Sequence, residues 1–543
     1  MSALQQLPLG AQSFKIIRQN GDLYVDKTRY LPELRKMGSV VFCARPRRFG
    51  KSLTVSALEA FYSGKKELFR GLAVEEYMNP AEFQPRPVIK LDMSAMPLFR
   101  GFGEFQEALS RRLHKIASSF ELTPCSSNPV ESFGVLLEDV AQKMGVELVI
   151  LIDEYDAPIF KALSNPQLLE GVREFMRDFY SQIKVASDYV HFAFITGVSK
   201  FSKMGVFSSL NNLYDISLDH EFAAMMGYTH EEFGNCFQPY LEGLSKKTGI
   251  AVAELPGKIE EYYNGFSFDG ETLVYNPFST LSLLQRGFFD NYWMESGSTS
   301  FIRNFLREKN LTVDQFRNLP VQRSFLTSPG EIESTPPHGF LYQAGYLTLR
   351  KRDDGYCLDY PNFEVLSAMS AYCIQNMIHE DHVADELFKN VQSAVAKQDA
   401  EALVEVFNRV YAAVSYDDHR VNSNESFYRA TLQTFLLGAG IRAQAEVHNN
   451  LGRMDIVARY KDKTVVIELK RAADAEKAVK AAAAGMSQML EKEYGNACVD
   501  ALRLAVAIDD GKRRIGAYNY IPAGSSTVIE GVIASGAEED AEK

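Results

Sequence analysis

The sequence predicts an α/β protein in which strands alternate with helices. Three stretches carry this prediction, namely residues 40–52, 146–154 and 453–470. Each combines an apolar run typical of a buried strand with polar residues near the point where that strand begins or ends. Strands that alternate with helices favour a sheet covered by helices on both faces. We therefore expect a three-layer sheet domain in the N-terminal part and a second α/β domain near the C-terminus.

Residues 40–44 form the first predicted strand, and the apolar positions of 53–61 predict a helix after it. The turn between them ends in Gly50, Lys51 and Ser52. Strand, turn and helix in this order bring backbone N–H groups and a helix N-terminus to one point, which is a geometry that binds phosphate. We expect Lys51 to contact the terminal phosphates of a nucleotide and the Ser52 hydroxyl to hold Mg²⁺.

The first half of this turn departs from the usual glycine-rich pattern. Arg45 stands where that pattern has glycine, and Arg47 and Arg48 follow it. Guanidinium groups match phosphate in a bidentate manner, so we expect these arginines to add phosphate contacts. The tripeptide at the end of the turn also occurs in ordinary surface turns, but the strand before it and the helix after it favour a nucleotide site.

The stretch 146–154 predicts a buried strand that delivers two carboxylates to the sheet edge where ligands bind. We expect Asp153 to bind Mg²⁺, directly or through water, and Glu154 to polarise the attacking water. A later predicted strand ends in Thr196, and either Thr196 or Ser199 is expected to sense the γ-phosphate.

Composition limits the functional classes. The chain has 543 residues and a formal net charge of −12, so any nucleic-acid contact must come from a local basic patch. No apolar run reaches the length of a membrane span, and the N-terminus lacks a secretory signal. The six cysteines are scattered without Cys-x-x-Cys spacing. This pattern argues against a zinc site or a disulfide framework and predicts a cytoplasmic protein without a membrane partner.

The N-terminal motifs resemble the AAA-ATPase-like family found in bacteria and archaea. The segments that carry the resemblance are 24–28, 45–52, 152–156 and 196–201. It implies a P-loop NTPase three-layer sandwich that binds ATP, with Lys51, Ser52 and Asp153 in the roles given above. It does not imply which arginine completes the site in trans. The sequence is compatible with a homo-oligomer but does not establish one. For Thr28, a capped helix start is favoured over a position near the nucleotide base.

The middle of the chain, residues 229–420, is predicted to be a connector. Thr229 and Glu232 form a capping box that predicts a helix start, and 384–414 predicts two amphipathic helices. The aromatic residues of 262–278 are expected to pack in a core, with stacking on bases as the alternative. These segments resemble the lid and the small helical or winged-helix-like module of the same family.

The C-terminal part predicts a second site. On a strand, residues i and i+2 point to the same side, so Glu468 and Lys470 face one way and Asp455 on the paired strand joins them. We expect Asp455 and Glu468 to hold Mg²⁺ or Mn²⁺, and Lys470 to position or help deprotonate water. Glu425, on the preceding helix, is expected to orient a metal-bound water.

The stretch 425–494 resembles the PD-(D/E)xK nuclease superfamily, with Met454 in place of the proline of the namesake motif. It looks most like the member that is commonly fused to the ATPase-like family. The resemblance implies an α/β restriction-endonuclease-like domain that acts on nucleic acid, and it favours DNA. Gln488 and Tyr494 fall near the site on the later predicted helix and are expected to contact it.

These predictions define a domain order and a function. The predicted domains are 1–228 for the ATPase-like domain, 229–420 for the connector, 421–530 for the nuclease-like domain and 531–543 for an acidic tail. The sequence thus predicts ATP hydrolysis coupled to Mg²⁺-dependent cleavage of nucleic acid. One alternative is a nucleotide-dependent switch whose nuclease-like domain binds without cutting. Another is a slow ATPase whose partner is a protein.

Overall fold

The chain divides into two compact units. Unit 1 comprises Met1–Gly297 and Phe316–Glu364, and unit 2 comprises Ser298–Gln315 and Val365–Lys543. A computed structural model describes residues 4–79, 83–123, 126–198, 206–207, 210–295, 313–322, 325–326, 336–353, 355–378, 381–414, 424–448, 451–494 and 500–532. Ser199 and the acidic residues from 537 onward lie outside this described part. The domain boundaries given above stay predictions.

Unit 1 contains the predicted parallel sheet. Its strands are β1 (Val40–Ala44), β2 (Val88–Asp92), β3 (Leu148–Asp153), β4 (Val190–Gly197) and β5 (Leu213–Asp215). The strand order is β2-β3-β4-β1-β5, and every pairing is parallel. All six residues of β3 are buried, as expected for a central strand between two helical layers. The carboxyl ends of β1, β3 and β4 therefore meet at one edge of the sheet, as the α/β prediction requires.

Helices surround this sheet and continue into the middle of the chain. Their bounds in unit 1 are α1 (Phe14–Asn20), α2 (Tyr30–Met37), α3 (Lys51–Tyr62), α4 (Phe102–Ser119), α5 (Pro129–Met144), α6 (Ala157–Ala162), α7 (Pro166–Val185), α8 (His230–Phe237), α9 (Leu241–Thr248), α10 (Leu255–Tyr263), α11 (Pro277–Arg286), α12 (Tyr292–Glu295) and α13 (Pro337–Ala344). Short 3₁₀ helices occupy Lys66–Phe69, Glu75–Met78, Ser187–Tyr189, His220–Phe222, Gln238–Tyr240 and Val313–Phe316.

Two helix starts in unit 1 test the capping predictions. Thr229 is the N-cap of α8, where its hydroxyl accepts from the Glu232 N–H at 3.2 Å and its own N–H donates to the Glu232 carboxylate at 2.8 Å. This confirms the capping box. The predicted capped start at Thr28 is wrong, because α2 begins at Tyr30 and the Thr28 hydroxyl donates instead to Asp26 at 2.6 Å.

The middle of the chain adds a small antiparallel sheet to unit 1. It consists of β6 (Leu319–Val321), β7 (Thr348–Arg352) and β8 (Gly355–Asp359), in the order β6-β8-β7. The nearby aromatic side chains of Tyr263 and Tyr275 are buried, which confirms packing as their role.

Unit 2 has a mixed six-stranded sheet in the order β14-β13-β12-β11-β10-β9. The strands are β9 (Arg442–His448), β10 (Arg453–Tyr460), β11 (Lys463–Ala472), β12 (Ala501–Asp509), β13 (Arg514–Ile521) and β14 (Ile529–Val532). The hairpin of β10 and β11 is antiparallel, as predicted, whereas β11 and β12 are parallel and are joined through a helix. This arrangement is consistent with the predicted C-terminal α/β domain.

The remaining helices run from the end of unit 1 through unit 2. They are α14 (Phe363–Ile378), α15 (Asp381–Lys397), α16 (Ala400–Ala413), α17 (Glu425–Gly438) and α18 (Ala475–Glu491). The pair α15 and α16 confirms the two amphipathic helices predicted for 384–414. Within the described residues, no helix is both long enough and apolar enough to span a membrane.

Candidate functional site

The segment between β1 and α3 forms a loop with unusual backbone angles. Gly50 is the N-cap of α3 with a φ of 95°, and Arg48 also adopts a left-handed conformation with a φ of 67°. Glycine accepts this conformation readily, whereas an arginine in it is uncommon. No side chain of the described residues caps α3. The first backbone N–H groups of α3 can therefore bind an anion.

Lys51, Ser52, Asp153 and Glu154 come together beside this loop. Lys51 Nζ lies 3.5 Å from Glu154 Oε1 and donates to the Pro46 carbonyl oxygen at 3.2 Å. The Ser52 side chain lies close enough to the Asp153 carboxylate to lower its pKa. Glu154 itself has a left-handed backbone with a φ of 51°, which directs its side chain away from the regular path of β3. The structure thus brings four of the predicted residues to one place.

The Asp153 carboxylate fits a hard cation. Only 4% of the residue is exposed, and its Oδ1 has no hydrogen-bond partner among the described residues. Burial raises the pKa of Asp153 above its ordinary value, and Glu154 and Asp92 also raise it, whereas Ser52 and Lys51 lower it. A buried carboxylate oxygen without a partner is costly. Mg²⁺ held by Ser52 and Asp153 would satisfy it.

A cavity of about 730 Å³ opens in front of the loop, which is a volume typical of small-molecule sites. The loop lines it with Arg47, Arg48, Gly50, Lys51 and Ser52. Most of the other lining residues are apolar or aromatic and include Pro8, Ala11, Ile17, Tyr228, Phe278 and Leu281. The cavity therefore combines a cationic, N–H-rich part with apolar surface, as a nucleotide requires.

Arg45 does not lie where the sequence predicts it. Its side chain is buried and donates to the carbonyl oxygens of Ala44, Ser217 and Phe222 at 3.0, 2.8 and 3.1 Å. Its guanidinium carbon also lies 4.0 Å from the centre of the Phe268 ring, a cation–π contact. These contacts hold the guanidinium inside the fold, although its Nε has no hydrogen-bond partner among the described residues, so Arg45 supports the loop from behind and does not line the cavity.

Thr196 also departs from its predicted role. The residue is fully buried, and its hydroxyl donates to the Cys43 carbonyl oxygen of β1 at 2.7 Å. The hydroxyl is thereby used to join β4 to β1 and does not face the cavity. The alternative, Ser199, lies outside the described residues.

The sequence did not reveal an aromatic clamp on the loop, which we define as Phe266, Phe268 and Trp293. Phe49 packs edge-to-face against the rings of Phe266 and Phe268, with centroids 4.8 and 5.5 Å apart. Trp293 Nε1 donates to the Arg47 carbonyl oxygen at 3.0 Å. Trp293 and Arg47 are 246 positions apart in the sequence, so no local sequence pattern could indicate this contact.

A second lysine of the cavity was also missed. Lys161, in α6, lines the cavity and donates to the carbonyl oxygens of Ser94, at 3.0 Å, and Met96. Burial lowers the pKa of Lys161, and Asp92 opposes that effect. Lysines are common on amphipathic helices, so nothing in the sequence distinguishes this one.

The predicted residues of unit 2 also come together. Asp455 Oδ2 accepts from the Leu469 N–H at 2.8 Å, which ties β10 to β11 at the site. Glu468 Oε1 accepts from Lys470 Nζ at 2.9 Å and from Gln488 Nε2 at 2.6 Å. Gln488 therefore contacts the site from α18, as predicted.

Glu468 fits a cation for the same reason as Asp153. It is 2% exposed, and its Oε2 has no hydrogen-bond partner in the described part of the chain. Burial raises the pKa of Glu468 and Asp455 also raises it, whereas the bond from Lys470 lowers it. A divalent cation beside Asp455 would satisfy the remaining oxygen. Within the described residues, no group of three or more His, Cys, Asp or Glu side chains is placed to hold a metal.

Glu425 and Tyr494 lie at the edge of this site. Glu425 is the first residue of α17, which Asn424 caps by accepting from the Phe427 N–H at 2.8 Å. Burial lowers the pKa of Lys470, but Glu468 and, more weakly, Glu425 raise it, so the pKa lies above its ordinary value. Glu425 is therefore close to Lys470. Tyr494 follows α18, and its hydroxyl bonds both to the N–H and to the carbonyl oxygen of Arg453 at the start of β10.

Arg429 and Glu446 belong to the same site, although the sequence analysis did not select them. Arg429 Nη2 lies 2.8 Å from Glu446 Oε1, and its Nη1 lies 3.5 Å from Asp455 Oδ1. Arg429 follows Glu425 by four positions on α17, a helical spacing that could have indicated it. Glu446 has a left-handed φ of 55°, which its sequence neighbours do not predict.

Comparison with known proteins identifies a family for each of the two parts of the chain. The model of the predicted AAA-ATPase (AAA-ATPase-like) family matches residues 8–207, and that of the PD-(D/E)XK nuclease superfamily matches residues 423–515. A protein of Azotobacter chroococcum mcd 1, named as an uncharacterized protein in the vnfD 5′ region, is 30% identical over 475 residues. The match covers 86% of this chain and 89% of that relative. The chain therefore belongs to the AAA-ATPase-like proteins that carry a C-terminal PD-(D/E)XK nuclease superfamily domain.

Proposed function

We propose that this protein binds and hydrolyses ATP in unit 1 and cleaves nucleic acid in unit 2, with DNA as the main substrate. One observation, found in both units, supports the proposal. Each unit buries a carboxylate near a lysine, Asp153 near Lys51 and Glu468 near Lys470, and one oxygen of each carboxylate has no hydrogen-bond partner among the described residues. A divalent cation would satisfy such an oxygen, and a lysine beside it can bind a phosphate group. We further propose that the protein acts in the cytoplasm.

In the ATP site, the residues of the loop have separate roles. Lys51, Arg47 and Arg48 bind the phosphates together with the N–H groups at the start of α3. Mg²⁺ held by Ser52 and Asp153 would neutralise charge on the phosphates. Phosphate bound at Lys51 competes with Glu154 for the lysine. Glu154 is then available to orient the attacking water and to accept its proton.

In the nuclease site, Asp455 and Glu468 would hold Mg²⁺ or Mn²⁺, which supplies Lewis-acid stabilisation of the phosphodiester. Lys470 positions the attacking water and stabilises the developing negative charge, and Gln488 keeps the Glu468 carboxylate in place. Glu425, on the adjacent helix, accepts a hydrogen bond from the water and orients it.

Parallel ATPase and nuclease assays test this function. Wild type, Lys51→Ala and Asp455→Ala are compared with Mg²⁺ or Mn²⁺, with and without ATP, on single- and double-stranded DNA. We expect Lys51→Ala to lose ATPase activity and the effect of ATP on cleavage. Asp455→Ala should keep ATPase activity and cut nothing. A Lys51→Ala variant that cleaves as fast as wild type, with or without ATP, would remove the proposed coupling.

A second function is favoured by one observation. Lys470 and Arg429 already lie against the two carboxylates of unit 2, so the site is partly neutralised by its own cations. In that case unit 2 binds nucleic acid without cutting it, and ATP acts as a switch. The absence of product under every metal, nucleotide and substrate condition, with retained DNA binding, would favour this alternative.

A further inference from the structure

The ion pairs around Asp455 include two residues that the proposed chemistry does not use. Arg429 contacts Glu446 through Nη2 at 2.8 Å and approaches Asp455 Oδ1 through Nη1 at 3.5 Å. Only 16% of the Arg429 side chain is exposed, and 10% of the Asp455 side chain. A nearly buried guanidinium beside a proposed cation ligand must influence what that ligand binds, because its charge is poorly screened there.

The two distances show which carboxylate holds Arg429. A charge-assisted N–H···O bond is usually about 2.7–2.9 Å long, and contacts near 3.5 Å are weak. The Glu446 contact falls within the strong range, and the Asp455 contact does not. Arg429 is therefore held mainly by Glu446. Asp455 Oδ1 keeps most of its capacity to accept another positive charge.

Glu446 is held in place at a cost. It lies in β9 between the cross-strand pairs Val447–Met454 and Ala445–Ile456, opposite Asp455. Its left-handed φ of 55° is unfavourable for a residue with a side chain. A second cation, Arg453, lies 3.2 Å from the same Glu446 oxygen. The fold thus maintains an uncommon backbone conformation that points a carboxylate at Arg429.

We infer that Glu446 restrains Arg429, and that this pair sets the affinity of Asp455 for a divalent cation. The inference rests on the proposed function, which places that cation at Asp455 and Glu468. Arg429 competes with the cation for Asp455 Oδ1, and Glu446 weakens the competitor by holding it. When a cation binds, Arg429 moves away from Asp455 without losing its charge partner. Arg429 and Glu446 are therefore positioning residues.

This inference predicts opposite effects from two neighbouring substitutions. Arg429→Gln removes the competing charge, so the dissociation constant for Mn²⁺ should fall about five- to tenfold. Glu446→Gln releases Arg429 onto Asp455, so the dissociation constant should rise about fivefold. In the double variant there is no arginine to restrain, so its affinity should equal that of Arg429→Gln.

The test is calorimetric titration of Mn²⁺ into the full-length, nucleotide-free protein. The variant Asp455→Ala/Glu468→Gln gives the baseline, because it removes the proposed site and leaves that of unit 1. Arg409→Gln is the matched control, because it also removes an arginine from a pair with a glutamate, Glu386 at 2.9 Å, and this pair contacts neither Asp455 nor Glu446 among the described residues; it should change the dissociation constant less than about twofold. Circular dichroism and thermal melting confirm that each variant is folded.

The outcomes separate the inference from the function on which it rests. If wild type and the baseline variant bind Mn²⁺ equally, the proposed cation site is wrong. If wild type binds more Mn²⁺ than the baseline but folded Arg429→Gln binds it more weakly, Arg429 only supports Asp455 structurally and the inference is overturned. Equal shifts in the same direction for Arg429→Gln and Glu446→Gln would overturn it as well.

Discussion

Glu154 is placed to interact with two partners in succession, first Lys51 and then the attacking water. Its carboxylate lies 3.5 Å from Lys51 Nζ, yet it also lines the cavity with about a quarter of its side chain exposed, 26%. We expect Glu154→Gln to bind ATP at least as tightly as wild type, because Lys51 loses a competing anion. The same variant should hydrolyse ATP about 100-fold more slowly, because the amide cannot accept a proton. Nucleotide binding by fluorescence and steady-state ATPase rates measure the two effects separately.

Glu59→Gln is the matched control for this prediction. Glu59 also pairs with a lysine, Lys90, at 2.8 Å, but it lies on α3 outside the cavity lining. Its substitution should leave ATP affinity and turnover within about twofold of wild type. A Glu154→Gln variant that retains full hydrolysis would show that another group orients the water.

Asp269 predicts a pH-dependent contribution to stability. Burial alone would raise its pKa, but it accepts from the N–H groups of Glu271 and Thr272, from the Thr272 hydroxyl and from His220. These bonds outweigh burial and hold the pKa of Asp269 below its ordinary value. A depressed pKa in the folded state stabilises the fold above the unfolded pKa, and this stability is lost as the pH falls through the folded pKa.

We therefore expect Asp269→Asn to lower the free energy of unfolding by about 1–2 kcal/mol at pH 7. The difference from wild type should shrink as the pH falls from about 4, the ordinary pKa of an aspartate, through the lower pKa of folded Asp269. Urea unfolding at several pH values measures the difference. Asp353→Asn, on an exposed turn, is the control and should change little at any pH. An Asp269→Asn difference that is independent of pH would contradict the assignment.

At the scale of elements, the aromatic clamp explains how an arginine-rich loop keeps a defined shape. Glycines usually supply the backbone freedom of a phosphate-binding loop, but here Arg45, Pro46 and Arg47 occupy its first half. The downstream segment compensates, since Phe49 packs against the clamp and Trp293 bonds to the Arg47 carbonyl oxygen. The backbone N–H of Trp293 donates to the buried Glu364 carboxylate at 2.7 Å, which fixes the position of this residue.

Removing one hydrogen bond from the clamp should weaken nucleotide binding. Trp293→Phe keeps an aromatic ring against Phe266 but loses the donor to Arg47, so the loop is less well ordered before ATP binds. We expect the dissociation constant for ATP to rise about five- to tenfold, which corresponds to roughly 1 kcal/mol or slightly more. Isothermal titration calorimetry with ATP and Mg²⁺ measures it.

Tyr240→Phe is the control, because it also deletes one donor to a backbone carbonyl oxygen. Its hydroxyl donates to Gln5 at 2.7 Å and has no contact with the loop among the described residues. ATP affinity should be unchanged in that variant. Unchanged affinity in Trp293→Phe as well would mean that the clamp does not order the loop.

Local patterns predicted the elements well, for a physical reason. The strand over 40–44, the capping box at Thr229 and the hairpin that carries Asp455 depend on residues within a few positions of one another. Propensity, capping and alternation act over that range, so the sequence displays them directly. The Thr28 prediction failed because the competing partner, Asp26, lies in the turn and takes the hydroxyl.

At the scale of the whole molecule, most of the unpredicted features come from distant pairs. Arg45 bonds to Ser217 and Phe222, which lie 172 and 177 positions away, and no short pattern distinguishes this arginine from Arg47 or Arg48. The two sites could be predicted because each depends on adjacent strand ends. Supporting residues such as Arg45 and Trp293 could not, since their roles depend on which distant elements the fold brings together.

The net charge of −12 sets the last prediction, which concerns how the protein binds DNA. Among the described residues near the proposed nuclease site, Arg453, Lys470 and Lys492 are the cations that we expect to contact phosphate, whereas Arg429 is held by Glu446. Each phosphate contact contributes about −0.9 to the slope of log K against log salt concentration, so we expect a slope of about −3. Fluorescence anisotropy of labelled duplex DNA with the Asp455→Ala variant in EDTA measures it without cleavage.

Arg453→Gln should reduce the slope by about one, whereas Lys246→Gln, on the exposed face of α9, should not change it. A slope steeper than about −6 would require an extended basic surface and would contradict a small, local footprint on an acidic molecule.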